Sequence, residues 1–134
     1  MYHVVVITPK GVYLEIDCKE LYVPTPNGVI LLNQNHTDLV SSISIGTMRI
    51  NLNKTRYFAI MGGVISTTRD QATIITSDIL ESNEINIDRA KESLKRNQDR
   101  LASKDSSIDI KRAKASLDRA LVRIEVALKN SFEE

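Results

Sequence analysis

Five arginines in the C-terminal part of this 134-residue chain have the spacing to do chemistry. Arg89 and Arg96 lie seven positions apart, and Arg112, Arg119 and Arg123 follow at steps of seven and four. On a helix such steps return to one face. Guanidinium groups crowded on a shared face repel one another unless an anion sits among them. Phosphate suits, because it accepts forked N–H donors, and so does an acidic segment of another protein. Without an anion the same stripes read as a solvated basic face. Most of these arginines belong to a phrase that the chain writes twice, INIDRAKESLKR from Ile85 to Arg96 and IDIKRAKASLDR from Ile108 to Arg119.

Both copies have the form of a helix start. Asn86 and Asp109 stand where an N-cap is expected, and each side chain accepts a bond from an unpaired backbone N–H, worth ~1 kcal/mol. Ile85 and Ile108 precede the caps and are placed to staple back onto the first turn. Asp88 adds a first-turn carboxylate, which the helix dipole favours by ~0.3–1 kcal/mol. Capping explains most of the repetition. Behind the caps, Ile87, Ala90, Leu94 and Leu101 keep a three-four beat that Asn97 interrupts. Ile110, Ala113, Leu117, Ala120, Ile124 and Ala127 keep it in the second copy, and Leu121 and Leu128 widen that stripe. The spacing predicts two amphipathic helices with narrow seams. A break at Ser103 to Ser107 is short enough to make them antiparallel neighbours. A seam with so few large side chains is marginal alone. The hairpin is therefore expected to lean on the rest of the chain, on a ligand or on a partner.

Before about Ser77 the texture is different. HVVVIT, VYLEI, ELYVPT, GVILL, SISI, MRINL, RYFAIM, GVIST and ATIIT read as short strands rich in Val, Ile, Thr and Tyr. Turn signals separate them at Pro9-Lys10-Gly11, Pro26-Asn27-Gly28, Asn33 to Asn35, Gly46, Asn53-Lys54, Gly62-Gly63 and Arg69-Asp70. Many short strands in series predict an all-β sandwich or barrel. Gly62-Gly63, inside an apolar run, marks a bulge, a close backbone approach or an ordinary sheet corner.

Composition narrows the function classes. A net charge of +1 and 4% aromatic residues give no footprint for nucleic acid. Residues 1–84 sum to −2 and residues 85–134 to +3, so the basic surplus is in the tail. Cys18 is the only cysteine, which excludes an internal disulfide and fits a reducing compartment. No stretch approaches the ~18 apolar residues of a membrane helix. The opening MYHVVVITPKG has neither a long apolar core nor an arginine-rich transit pattern. Membrane association is therefore expected only through a partner. No P-loop, no G-x-S-x-G and no nucleophile–base pair is legible, and no second His or Cys gives His36 a metal-ligand spacing. The expectation is a protein that is not an enzyme and holds no metal.

The whole order, VVVITPKGVYLEIDCKELYVPTPNG, then QNHTDLVSSISIGTMRI, MGGVIS and IDIKRAKASLDRALVRIEVAL, resembles the ε subunits of rotary F-type ATP synthases over essentially the full chain. The resemblance implies a mainly β plus α protein. Residues 1–83 would form an N-terminal short-stranded β-sandwich and residues 84–134 a C-terminal antiparallel αα-hairpin. It implies a non-catalytic central-stalk subunit that couples proton-driven rotation to ATP synthesis. Its sandwich would dock on the γ subunit and the c-ring. Its hairpin would change conformation, reach the catalytic α and β subunits when extended, and restrain ATP hydrolysis. The chain would lie on the cytoplasmic face of a bacterial plasma membrane or the stromal face of a plastid thylakoid. A different class, a stand-alone nucleotide- or anion-sensing module built on the arginines, is separated from this one by whether the chain co-purifies with γ.

The resemblance also marks residues. The loop that faces γ and the c-ring falls on Val29, Ile30, Asn35, His36, Thr37, Asp38 and Leu39. Here Val29 stands at the family's acidic position, Leu31 at its second glycine and Gln34 at its proline. Some bacterial members bind ATP, without hydrolysing it, through (I/L)-D-x-x-R-A and nearby arginines. That pattern falls on Ile85, Asn86, Arg89 and Ala90, with Arg96, Arg119 and Arg123 as the accompanying arginines. Asn86 replaces the aspartate, which keeps an acceptor and loses the charge. No cofactor is required; ATP would be a regulatory ligand. The second copy, starting at Ile108, fits the pattern better but only opens the second helix.

Overall fold

The computed structural model describes residues 1–102 and 110–129. Two tight hairpins come first. β1 (Tyr2–Thr8) turns at Pro9-Lys10 into β2 (Gly11–Cys18), and β3 (Glu20–Thr25) turns at Pro26-Asn27 into β4 (Gly28–Leu32). In the second turn the Thr25 hydroxyl donates to the Gly28 carbonyl at 2.6 Å. β5 (Leu39–Asn51) and β6 (Thr55–Thr67) form a long hairpin, followed by β7 (Gln71–Ile75) and β8 (Ile79–Glu81). The hydrogen-bonded order is β2-β1-β7-β6-β5-β3-β4, with β8 added beside β6. Among the described strands only β1 and β7 run parallel.

The network folds over on itself as a sandwich. Tyr2, Val4 and Val6 of β1 alternate inward, as a half-buried strand requires. They share one core with Leu21 and Val23 of β3, Leu32 of β4, and Met48, Ile50, Phe58 and Ile60 of the long strands. Tyr13 of β2 stands edge-on to Phe58, with centroids 6.4 Å apart.

Two expected strand breaks are not breaks. SISI and MRINL are one strand through Gly46, and RYFAIM and GVIST are one strand through Gly62-Gly63. At Gly46 the missing side chain admits a neighbour: a Cβ there would meet Pro24 Cβ at 3.0 Å. Gly62 and Gly63 are a close approach and a corner together. Both have positive φ, +85° and +143°, and a Cβ on Gly63 would lie 2.2 Å from the Ile75 carbonyl oxygen. There β6 changes partner. Phe58 to Ile60 pair with β8, while Val64 to Thr67 pair with β7. β8 itself lies beyond the point where the strand texture ends.

A 3-10 turn at Ser82–Glu84 leads to α1 (Ile87–Ala102), and α2 (Ile110–Leu128) follows. Asn86 caps α1 as expected: the Arg89 N–H donates to its Oδ1 at 3.1 Å. The expected cap at Asp109 and the link at Ser103 to Ser107 fall outside the described residues. The seam is as narrow as the spacing implied, with Ala90, Ala113 and Ala120 buried. Asn97 is buried in it too. Its Nδ2 donates to the Ser93 carbonyl at 2.8 Å, and among the described residues nothing donates to its Oδ1.

The hairpin leans on the sandwich through α2. Val126 is fully buried against Ala59 and Met61, with Val122, Ile85, Ile45 and Tyr57 around them. α2 thus has a second apolar face, from Val122 and Val126 at helical spacing. Leu121 and Leu128, expected to widen the seam, are instead 46% and 72% exposed. They lie seven residues apart on the outer face, where no described element covers them. α1 packs on α2.

Candidate functional site

The joint between sandwich and hairpin is a dense hydrogen-bond network. Glu81, at the end of β8, takes both arms of the Arg56 guanidinium, at 2.9 and 2.7 Å, with its side chain only 8% exposed. That hydrogen bonding holds the Arg56 pKa above its ordinary value. The Glu81 N–H is shared between Glu84 Oε1 and the Tyr13 hydroxyl, each at 3.0 Å. Tyr13 in turn donates to the Glu84 carboxylate. Burial, and then this contact, push the Tyr13 hydroxyl well above its usual range. The chain therefore leaves the sandwich in a fixed direction.

Immediately beyond lies a cleft of about 490 Å³, lined by Leu80, Glu84, Ile85, Asn86, Arg89, Ala90, Ser93, Arg96 and Arg123. Arg89, Ser93 and Arg96 reach it from successive turns of α1. Arg123 reaches it from α2, with its Nη2 donating to Asp78 Oδ2 at 3.0 Å. Three guanidinium groups around one polar cleft can accept a polyphosphate through several charge-assisted bonds. The Glu84 carboxylate on the wall offsets part of that charge. Of the residues predicted for ATP, Ile85, Asn86, Arg89, Ala90, Arg96 and Arg123 line the cleft together. Arg119 does not. It stands four residues before Arg123, about 6 Å along the helix axis, and is exposed. Asn86 lines the cleft with one lone pair of its Oδ1 taken by the helix cap and with an NH2 donor that an aspartate would lack. An aspartate would present a second acceptor oxygen and a negative charge in place of that donor. The sequence reading missed Leu80, Glu84 and Ser93. Glu84, next to the motif, was the one with a legible signal.

The predicted docking loop is a separate place. Val29 is exposed on edge strand β4, Ile30 packs toward the main core, and Leu39 opens β5. Asn35, the one non-glycine residue with positive φ among those described, donates its N–H to the Arg69 carbonyl at 2.7 Å. His36 pairs its Nδ1 with the Thr37 carbonyl at 2.6 Å, and that carbonyl also accepts from the Thr67 hydroxyl. Thr37 and Asp38 are exposed. The loop is pinned at its base and open at its tip.

Two further titratable residues are held in place on the sandwich. His3 lies between Asp17 and Glu15, at 2.7 and 2.8 Å, and the Asp17 contact chiefly raises its pKa. Cys18 is buried, which pushes its thiol up to about 11. Among the described residues no three of His, Cys, Asp or Glu come together to hold a metal. No described helix is long and apolar enough to cross a membrane.

This architecture has known counterparts. Residues 1–82 match the beta-sandwich domain of the ATP synthase delta/epsilon chain, and residues 83–127 match its long alpha-helix domain. The chain belongs to the ATP synthase delta/epsilon chain family. It is 32% identical to the ATP synthase epsilon chain of Bacillus mycoides, over 91% of this chain and 92% of that one. It is 34% identical to the epsilon chain of Halalkalibacterium halodurans, over 93% and 96%. Its fold matches a chain in a cryo-EM structure of the Euglena gracilis mitochondrial ATP synthase, with a TM-score of 0.82 at 17% identity, covering 96% of this chain and 81% of that one. As an F-type epsilon chain it is a non-catalytic subunit.

Proposed function

We infer that this epsilon chain is a regulatory rotor subunit whose hairpin exchanges between the docked form described above and an extended form that restrains ATP hydrolysis. The observation that carries the reading is the docking itself. α2 meets the sandwich through a small apolar patch around Val126, and α1 rests on α2 through a seam of alanines and one buried asparagine. A switch needs states within a few kcal/mol of each other, and contacts this small keep the docked state within that range. Extended, the basic hairpin would lie along γ and meet acidic segments of the catalytic α and β subunits.

Docking on the rotor has surfaces to use. Val12, Ile7, Ile75 and Val64 stand in one register row across β2, β1, β7 and β6. Val12 is 61% exposed, Ile75 58% and Val64 47%. Such an apolar band suits γ, while the polar loop tip at His36 to Asp38 suits the c-ring. In this role the chain passes rotation between proton flow and ATP synthesis. It lies on the cytoplasmic face of a bacterial plasma membrane, held there by the complex, and the bacterial relatives favour that side over a thylakoid. The test is ATP hydrolysis by the assembled enzyme with the full chain and with one ending at Glu84. Faster hydrolysis with the short chain is expected; equal rates refute the restraint.

ATP is the regulatory ligand of the cleft, bound without hydrolysis, and it favours the docked hairpin. Calorimetry is expected to register binding that Arg123→Ala weakens by about tenfold or more, the range for a lost charge-assisted hydrogen bond. Arg119→Ala, outside the cleft, should change affinity by less than about threefold. No heat at millimolar ATP would remove the nucleotide from the reading and leave the rotor role standing.

A further inference from the structure

Arg123 does two things at once. It lines the arginine cleft, and it ties the hairpin to the sandwich by donating to Asp78 Oδ2 at 3.0 Å. Asp78 lies between β7 and β8 and is not among the residues that line the cleft. Its backbone is fixed at the corner, where its carbonyl accepts the Met61 N–H at 3.0 Å and the Thr76 hydroxyl at 3.1 Å. The Asp78 carboxylate is therefore presented to α2 from a rigid place. A carboxylate and a phosphate oxygen take the same guanidinium donors.

Resting on the nucleotide reading above, we propose that Asp78 is the internal counter-anion of the cleft. With no ligand bound, its carboxylate holds Arg123 and keeps α2 docked. A phosphate entering the cleft has to draw Arg123 away from it, so Asp78 sets how tightly the cleft binds. The pair is suited to exchange. Its side chains are 29% and 50% exposed, and an ion pair that wet is weak enough for a polyphosphate to outcompete. The net charge of the cleft follows the same logic. Glu84 on the wall and Asp78 behind Arg123 offset two of the three guanidinium charges, which lets the hairpin close when the cleft is empty.

The experiment uses the full chain with Asp78→Ala, ATP as the probe, calorimetry for affinity, and amide hydrogen exchange over residues 110–129 without ligand. ATP is expected to bind about 2- to 5-fold more tightly to the variant, and α2 of the ligand-free variant to exchange about 2- to 5-fold faster, the range for an exposed ion pair. Arg123→Ala should speed exchange by the same factor, and the double variant should be no faster than either single one. ATP affinity equal to or below that of the unaltered chain, with unchanged exchange, overturns the proposal. Should the unaltered chain bind no ATP, the nucleotide reading falls separately. The exchange measurement then decides alone whether Asp78 holds Arg123: faster exchange supports it, and unchanged exchange overturns it.

Discussion

Replacing Gly63 with alanine should cost this chain at least about 3 kcal/mol, a large share of the ~5–15 kcal/mol that holds a domain of this size together. Two independent effects meet at this one position. Its φ of +143° is a conformation that L side chains rarely adopt, and its Cβ would fall 2.2 Å from the Ile75 carbonyl oxygen and 3.1 Å from Thr76 Cα. Those are backbone atoms, so no side-chain rotation relieves the contact. Relief requires β7 to move off β6, and β7 is the strand that joins β1 to the rest of the network. Gly46→Ala is the natural comparison. Its Cβ would press on Pro24 at 3.0 Å with an ordinary φ, and overpacking of that kind costs ~1–3 kcal/mol. Urea unfolding followed by circular dichroism measures both. Equal losses for the two variants would mean that the corner yields and that the close approach is not what fixes it.

The second large effect is expected at Glu81. Its carboxylate takes two bonds from Arg56 in a place where it is 8% exposed, and its N–H is shared by Tyr13 and Glu84. Glu81→Ala removes two charge-assisted bonds from a mostly buried guanidinium, which should cost about 2–3 kcal/mol. The loss should not stay local, because the same residue ends β8 and sets the exit direction of the hairpin. Amide exchange should therefore rise in both helices as well as in β8. A loss below about 1 kcal/mol, confined to β8, would mean the pair acts like a surface ion pair and the joint is held by its other bonds.

The legible parts of this fold were those written in neighbouring residues. Asn86 capped its helix because an N-cap is a three-residue matter. The strands of the two short hairpins were readable from Pro-Lys-Gly and Pro-Asn-Gly with alternation on either side. The long strands were cut in two because glycine serves both for ending a strand and for letting another backbone come close. β8 has three residues, too few to show a period. α2 concealed its second face because Val122 and Val126 lie between the beats of the alanine seam. Of the residues in the family pattern, Ile85, Asn86, Arg89, Ala90, Arg96 and Arg123 share one cleft. The pattern could not show that Arg119 stands outside the lining of that cleft, nor that Asp78, 45 residues from Arg123, would be that arginine's partner.

The parallel pairing of β1 with β7 sets an order of birth for the molecule. As the chain leaves the ribosome, β1 finds β2 at once, but its other edge stays bare until Gln71 to Ile75 emerge. That contact spans most of the sandwich, and long-range closure of this kind is slow. The helical hairpin, by contrast, is made of local contacts and can coil soon after it is synthesised. β1 is thus among the last strands to be enclosed, and the helical hairpin completes itself on a sandwich that has only just closed.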